Sequence, residues 1–317
     1  MDRAPITRGK PGVGPATRRL LSWGLMVTAT AYLTWMLKDQ GAAIAASARR
    51  FDLALVLAAT ACLIPMFMLK ALYHARLLRQ FGRADSSLAY LTETYLQAQL
   101  VRYLPGKIWG IVYQSRRVDG SHAPGAVVVA NLWQMLLTNL LAVSVLAGIL
   151  GISHLGPSSL VTIIVGLALV ELIHRHPQTR DAPIKWLARR APRFGIPALL
   201  TLSKPDRWKS TALLASEWVF YFPAFVLLHD GLLSAAQAIL LGAWYSAASI
   251  LSLAAFVVPA GLAVREAIFV SGASTLAGAH PALLIVSATM LRLLMIAAEI
   301  VAALLATVFN KVRRHGC

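Results

Sequence analysis

Apolar residues fill runs at about 20–37, 52–73, 124–150, 159–173, 209–229, 234–258 and 282–309, separated by polar and basic segments. A helix needs roughly 20 apolar residues to cross the hydrocarbon of a bilayer, so these runs predict spanning helices. The 159–173 run is short and is expected to borrow flanking residues. The 20–37 run follows a basic 19-residue tail and leads to no clear small-residue cleavage site. It reads as a retained first helix rather than a signal peptide. The 86–103 stretch carries Glu93, Gln97, Gln99 and Arg102 and is polar enough to require a protein-lined position.

Two stretches break the apolar pattern where uninterrupted helix is expected. The first is Tyr103-Leu104-Pro105-Gly106-Lys107-Ile108-Trp109-Gly110, and the second is Pro259-Ala260-Gly261-Leu262-Ala263-Val264-Arg265-Glu266. Proline removes a backbone donor and clashes with the preceding turn, and glycine frees the backbone. Within a membrane such backbone is tolerated only where protein or a wet cavity surrounds it.

Basic residues set the expected topology. Most of the 30 Lys and Arg gather in the N-terminal tail (Arg3 to Arg19), in 70–83, in 175–209 and at Lys311, Arg313 and Arg314. With those segments in the cytoplasm, both termini are inside. Segment 86–122 then begins and ends inside, and 234–281 begins and ends outside. Segment 38–51 falls outside although it carries Lys38, Arg49 and Arg50. The two broken segments thus occupy corresponding places and enter from opposite faces, the signature of an inverted repeat with a site near the midplane. His122-x-Pro124 after the first break and His280-Pro281 after the second extend the correspondence.

The predicted fold is an all-α polytopic membrane protein, with about six spanning helices and two broken or re-entrant helical hairpins in an inverted repeat. Its parts are a basic tail (1–19), one transmembrane domain (20–310) and a basic end (311–317). The transmembrane domain divides into a first half to about 173, a basic loop at 174–208 and a second half from about 209. That loop holds five prolines and is expected to form a short amphipathic helix near 184–191.

Composition agrees with the pattern. The chain is 58% hydrophobic and 14% charged, which excludes an ordinary soluble domain. The net charge of +17 follows the positive-inside distribution and suits anionic lipid surfaces. No nucleic-acid module is visible, so a nucleic-acid partner is not expected. Cys62 and Cys317 make no disulfide framework and lack metal-ligand spacing.

The first break resembles the Y-[LI]-P-G-[KR]-x-[WG] element of the lysylphosphatidylglycerol synthase transmembrane-region family, a group of flippase-like membrane proteins. Val258 to Glu266 resembles its P-x-G-[LI]-G-x-R-E element, and Arg292 with Glu299 resembles the pattern of its closing helix. The resemblance covers roughly 20–310. It implies handling of lipid headgroups by a stand-alone member without the aminoacyl-transferase domain, since the chain ends at Cys317 directly after the last helix. Ala263 replaces the family's third glycine of the second motif. Neutral residues around Asn131, Trp133 and Gln134 replace a charged Glu-Arg pair.

The candidate headgroup site comprises Arg102, Pro105, Gly106, Lys107, Arg265, Glu266, Arg292 and Glu299. A helix starting after Pro105 exposes N–H groups suited to a phosphate, with Lys107 and Arg102 beside it. Alternatively, Lys107 only snorkels to the interface. Adjacent helical residues do not face each other, so Arg265 and Glu266 are expected to find separate partners, with Arg292 the candidate for Glu266. Arg265 then offers its guanidinium fork to a phosphate. The competing reading is a buried network that ties the last helix to the broken segment. Glu93 is a possible partner of Arg102 or Lys107. Gln134 is an accessory candidate, and Glu217 is either a paired structural carboxylate or a coupling site. Arg116 and Arg117 mark the inner interface. Glu171, His174 and His176 have helical spacing but too few ligands for a metal site.

These features point to a transporter for an anionic phospholipid or a polyprenyl-phosphate-linked sugar in the cytoplasmic membrane, serving envelope biogenesis. Alternatives are an integral membrane glycosyl or lipid transferase, or a non-transporting subunit that binds envelope-synthesis enzymes. The eight Asp are isolated and no catalytic constellation stands out, so an enzyme is the less favoured class. No cofactor or metal is expected, and the sequence carries no P-loop.

Overall fold

The computed structural model describes residues 41–82, 86–101, 109–118, 123–175, 204–254 and 264–315, together with Lys185 and Arg189. No strand occurs among them. The helices are α1 (Gly41–Ala48), α2 (Leu53–Gly82), α3 (Leu88–Val101), α4 (Trp109–Arg117), α5 (Ala123–Leu155), α6 (Val161–Arg175), α7 (Lys204–Leu228), α8 (Ala235–Ala254), α9 (Val264–Ala277) and α10 (Pro281–His315), with a 3-10 turn, Gly156–Leu160, before α6. The protein is an all-α multi-pass membrane protein.

Six helices are long and apolar enough to cross a membrane. All six match predicted runs: α2, α5, α6, α7, α10 and α8, whose run at 234–258 opens the second broken segment, while the 20–37 run lies outside the described residues. The short 159–173 run reaches spanning length by borrowing the Gly156–Leu160 turn, as expected. Segment 38–51 contains α1 where a connection was predicted, because Gly41–Ala48 is alanine-rich and alanine is the strongest helix former. Of the predicted helix near 184–191, Lys185 and Arg189 are helical and exposed.

Helices α2 and α7 form the centre and run antiparallel. Cys62 Sγ lies 3.4 Å from the Phe220 carbonyl and Lys70 Nζ 3.5 Å from Glu217 Oε2, so rising numbers on α2 meet falling numbers on α7. On α2, Ala59, Leu63, Met66, Phe67 and Ala71 recur at helical spacing and are buried. They join a core with α7, α8, α9 and α10, and Tyr73, Leu77 and Leu78 on α2 join a second core with α5. Outward-facing apolar residues such as Leu136, Val143, Ile164, Leu304 and Val308 are exposed and suit a lipid environment.

Both broken segments are helical hairpins. In the first, Tyr113 donates to Gln97 Oε1 at 2.6 Å and Tyr90 donates to the Arg117 carbonyl at 3.1 Å, so α3 and α4 are antiparallel. Gly110 permits this closeness, because a Cβ there would lie 2.9 Å from the Ala98 carbonyl oxygen. In the second, Gln237 donates to the Ala277 carbonyl at 3.0 Å and Trp244 Nε1 to the carbonyls of Ile268 and Phe269, so α8 and α9 are antiparallel.

The hairpins open toward opposite ends of the bundle. Asn310, near the basic end of α10, donates to the Ala89 carbonyl and to Glu93 Oε2 at 2.9 and 2.7 Å, placing the start of α3 there. The end of α7 lies opposite, where His229 Nε2 is 2.9 Å from Ser287 Oγ near the start of α10. Gln237 at the start of α8 follows this end directly. The packing also repeats with the halves exchanged. Helix α3 packs on α10 and α8 packs on α5, while α4 packs on α5 and α9 on α10. An inverted repeat predicts this reciprocity.

A side chain at Gly272 would overlap the Trp244 ring, which is pinned by its two carbonyl acceptors. Gly272→Leu is therefore expected to cost about 1–3 kcal/mol through overpacking. That corresponds to a fall of roughly 2–10 °C in the melting temperature of the detergent-solubilised protein. At the opposite end, His229 is buried, and desolvation pushes its pKa below the ordinary value against the opposing effect of its Phe225 carbonyl contact. Protonation then favours the unfolded chain, so the stability His229 supplies is present above about pH 6.5 and lost as pH falls below it. Melting temperature measured against pH should decline over that range in the wild type and decline less in His229→Gln.

Candidate functional site

Both hairpins line one cavity of about 580 Å³. Its walls come from both hairpins and from α2, α5, α7 and α10. Arg265 contributes from α9, Glu299 from α10, Glu217 and Trp218 from α7, Lys70 from α2, Gln114 from α4, and Asn131 and Gln134 from α5. Four sequence candidates therefore line one chamber: Arg265, Glu299, Glu217 and Gln134. Arg102, Pro105, Gly106 and Lys107 lie outside the described residues, as do Pro259, Ala260 and Gly261.

Arg265 stands in the first turn of α9. Its Nη2 donates to Glu266 Oε1 at 2.8 Å, and Arg292 Nη1 donates to the same oxygen at 3.0 Å. The Arg292–Glu266 pairing is as expected. The separation expected between Arg265 and Glu266 is overturned: in the first turn of α9 the long arginine side chain reaches its neighbour's carboxylate. One carboxylate thus meets two guanidiniums. Tyr245 also packs on Arg265, whose guanidinium carbon is 4.8 Å from the ring centroid. Arg265 Nε and Glu266 Oε2 are buried and have no hydrogen-bond partner among the described residues.

A second charged pair faces the same space. Lys70 Nζ sits 3.5 Å from Glu217 Oε2, and the Glu217 side chain is 9% exposed. Its other oxygen, Oε1, is buried without a hydrogen-bond partner among the described residues. Glu217 is therefore paired, one of the two alternatives open from sequence. Lys70 was read only as a topology marker. Its position mid-way along the apolar helix α2, one turn before His74, is the signal that distinguishes it from the interfacial Arg76 and Arg79.

Behind this wall lies a polar cluster that sequence reasoning only touched. The buried ring of His74 lies between Gln134 Oε1 (2.7 Å) and Gln114 Oε1 (3.0 Å) and stacks against Tyr95, with ring centroids 4.2 Å apart. Gln134 Nε2 donates to the Lys70 carbonyl, and Asn131 Nδ2 donates to Gln114 Oε1 and to the Val127 carbonyl. The cluster joins α2, α4 and α5 through amides.

Other candidates fall elsewhere. Glu93 accepts from Asn310 and Gln97, so it fastens hairpin one to α10 instead of facing a cation among the described residues. Arg117 donates to the Tyr113 hydroxyl at 2.9 Å at the exposed end of α4, in keeping with an interfacial position. Glu171 accepts from Thr211 and pairs with Arg207, and His174 contacts Thr211 and Tyr73. These contacts tie α6 to α7 and α2. No cluster of metal ligands occurs among the described residues.

No model of a known protein family and no curated protein matches this chain. The resemblance to the flippase-like family accordingly rests on the motifs themselves.

Removing the shared carboxylate should expose its role. Glu266→Gln leaves two guanidiniums facing each other, and stability is expected to fall toward the roughly 3–5 kcal/mol typical of a broken buried pair. The loss should stay below that range, because the Arg265 and Arg292 side chains remain 20% and 24% exposed. Glu266→Gln combined with Arg292→Met should recover part of it, as read from melting temperatures in a double-mutant cycle.

Proposed function

We propose that the cavity receives the phosphate-bearing headgroup of an anionic phospholipid or a polyprenyl-phosphate-linked sugar and that the protein moves this lipid across the cytoplasmic membrane. The observation that carries the reading is that two hairpins opening toward opposite ends wall one charged chamber. A site reached from both sides through paired helical breaks suits alternating access, in which the halves rock around a fixed binding point. Arg265 is the phosphate ligand in this reading. Arg265 lines the chamber, and its guanidinium fork suits the oxygens of a phosphate. The resemblance of both motifs to the flippase-like family supports the same cargo class.

The basic end of the bundle carries Arg76, Arg79, Arg116, Arg117, Arg175, Lys311 and Arg313, and it is the cytoplasmic end under the positive-inside rule. Hairpin one then opens to the cytoplasm and hairpin two to the far side, with both termini cytoplasmic.

Reconstitution into liposomes with fluorescent phospholipids tests the reading directly. The wild type is expected to accelerate loss of label to an external quencher. Arg265→Ala should reduce the accelerated rate by roughly tenfold or more, the effect of losing a charge-assisted contact of about 1.4 kcal/mol or greater. Rates equal to those of protein-free liposomes for every anionic lipid tried would overturn it.

A further inference from the structure

The cavity wall at Glu217 leaves a hydrogen-bond acceptor unserved, and this shortage describes the ligand. Glu217 lines the cavity from α7, and its Oε1 is buried and has no hydrogen-bond partner among the described residues, while Lys70 engages the other oxygen.

We infer that Glu217 forms a subsite for a hydrogen-bond-donating group on the headgroup, an ammonium or a hydroxyl. Arg265 holds the phosphate of the same ligand. This inference rests on the headgroup reading above and adds to it a requirement on headgroup chemistry. A buried carboxylate oxygen without a donor is costly, and a ligand N–H or O–H relieves that cost only when bound. A ligand offering phosphate alone satisfies Arg265 and leaves Glu217 Oε1 bare. Glu217 is thus a specificity-determining residue that selects among phosphate-bearing lipids.

Two matched lipid pairs separate the chemistry from the charge. Phosphatidylglycerol and phosphatidylmethanol carry the same charge, but only the first has free hydroxyls. Phosphatidylethanolamine and phosphatidylcholine both carry phosphate and a cationic nitrogen, but only the first has N–H groups. Competitive retention of each pair by the purified full-length protein, read by native mass spectrometry, should favour the donor-bearing member of at least one pair by roughly tenfold. That factor corresponds to one added hydrogen bond to a charged group. The pair that discriminates identifies hydroxyl or ammonium. Lys70→Met with Glu217→Leu removes the subsite without orphaning the lysine, and it should level the two members of that pair.

Equal retention within both pairs by the wild type would overturn the inference, as would a preference that persists in the double variant. The wild-type comparison decides alone if the double variant fails to fold. Equal retention that Arg265→Ala still abolishes would overturn the donor subsite and leave the headgroup reading standing. Retention of no phospholipid above diacylglycerol would overturn both.

Discussion

A membrane offers no water to a backbone or a charge inside it, and the architecture follows from that constraint. Helices α3 and α4 are 14 and 9 residues long, about 21 and 14 Å, too short to span and polar along their length. They persist because α2, α5 and α10 surround them, with Gln97, Tyr113, Thr307, Asn310 and Glu93 supplying hydrogen bonds across the contacts. Hairpin two is longer and more apolar and needs fewer such ties. Trp244 and Gln237 bind its two arms through backbone carbonyls.

The same constraint governs the charges. Each intramembrane cation whose contact is described above has a carboxylate or an aromatic face beside it, yet the pairing is incomplete. Glu266 serves two arginines through one oxygen, and Glu217 gives one oxygen to Lys70 and leaves the other bare. A purely structural network would be expected to close such gaps, since fully satisfied polar groups are the stable arrangement in low dielectric. Arg265 on α9 keeps a bare donor and Glu217 on α7 a bare acceptor among the described residues, and both residues line the cavity.

Much of the fold was legible in the residues. Lengths of apolar runs located six spans, and the Pro and Gly breaks with basic flanks located both hairpins and their opposed entry. The site was read less completely, for physical reasons. Arg265, Glu266, Arg292 and Glu299 were visible because charge within an apolar run is costly and conspicuous. His74 and Gln114 were not, because neutral polar residues near a helix end carry no such signal until tertiary packing closes over them. Lys70 was hidden by its neighbours Arg76 and Arg79, which made it look like part of an interfacial cluster. The Arg265–Glu266 contact was misjudged because the facing rule applies within a helix and these residues stand at its start.

The exchange of packing between the halves bears on how the chain is made. Hairpin one emerges early in synthesis, but one of the helices that covers it, α10, emerges last. Until then its Glu93, Gln97 and adjoining polar surface lack the Asn310 and Thr307 contacts that hold them in the finished protein. The chamber is therefore completed only once α10 joins the bundle. Interleaving the halves makes the chamber a product of late assembly, formed after both hairpins have been synthesised.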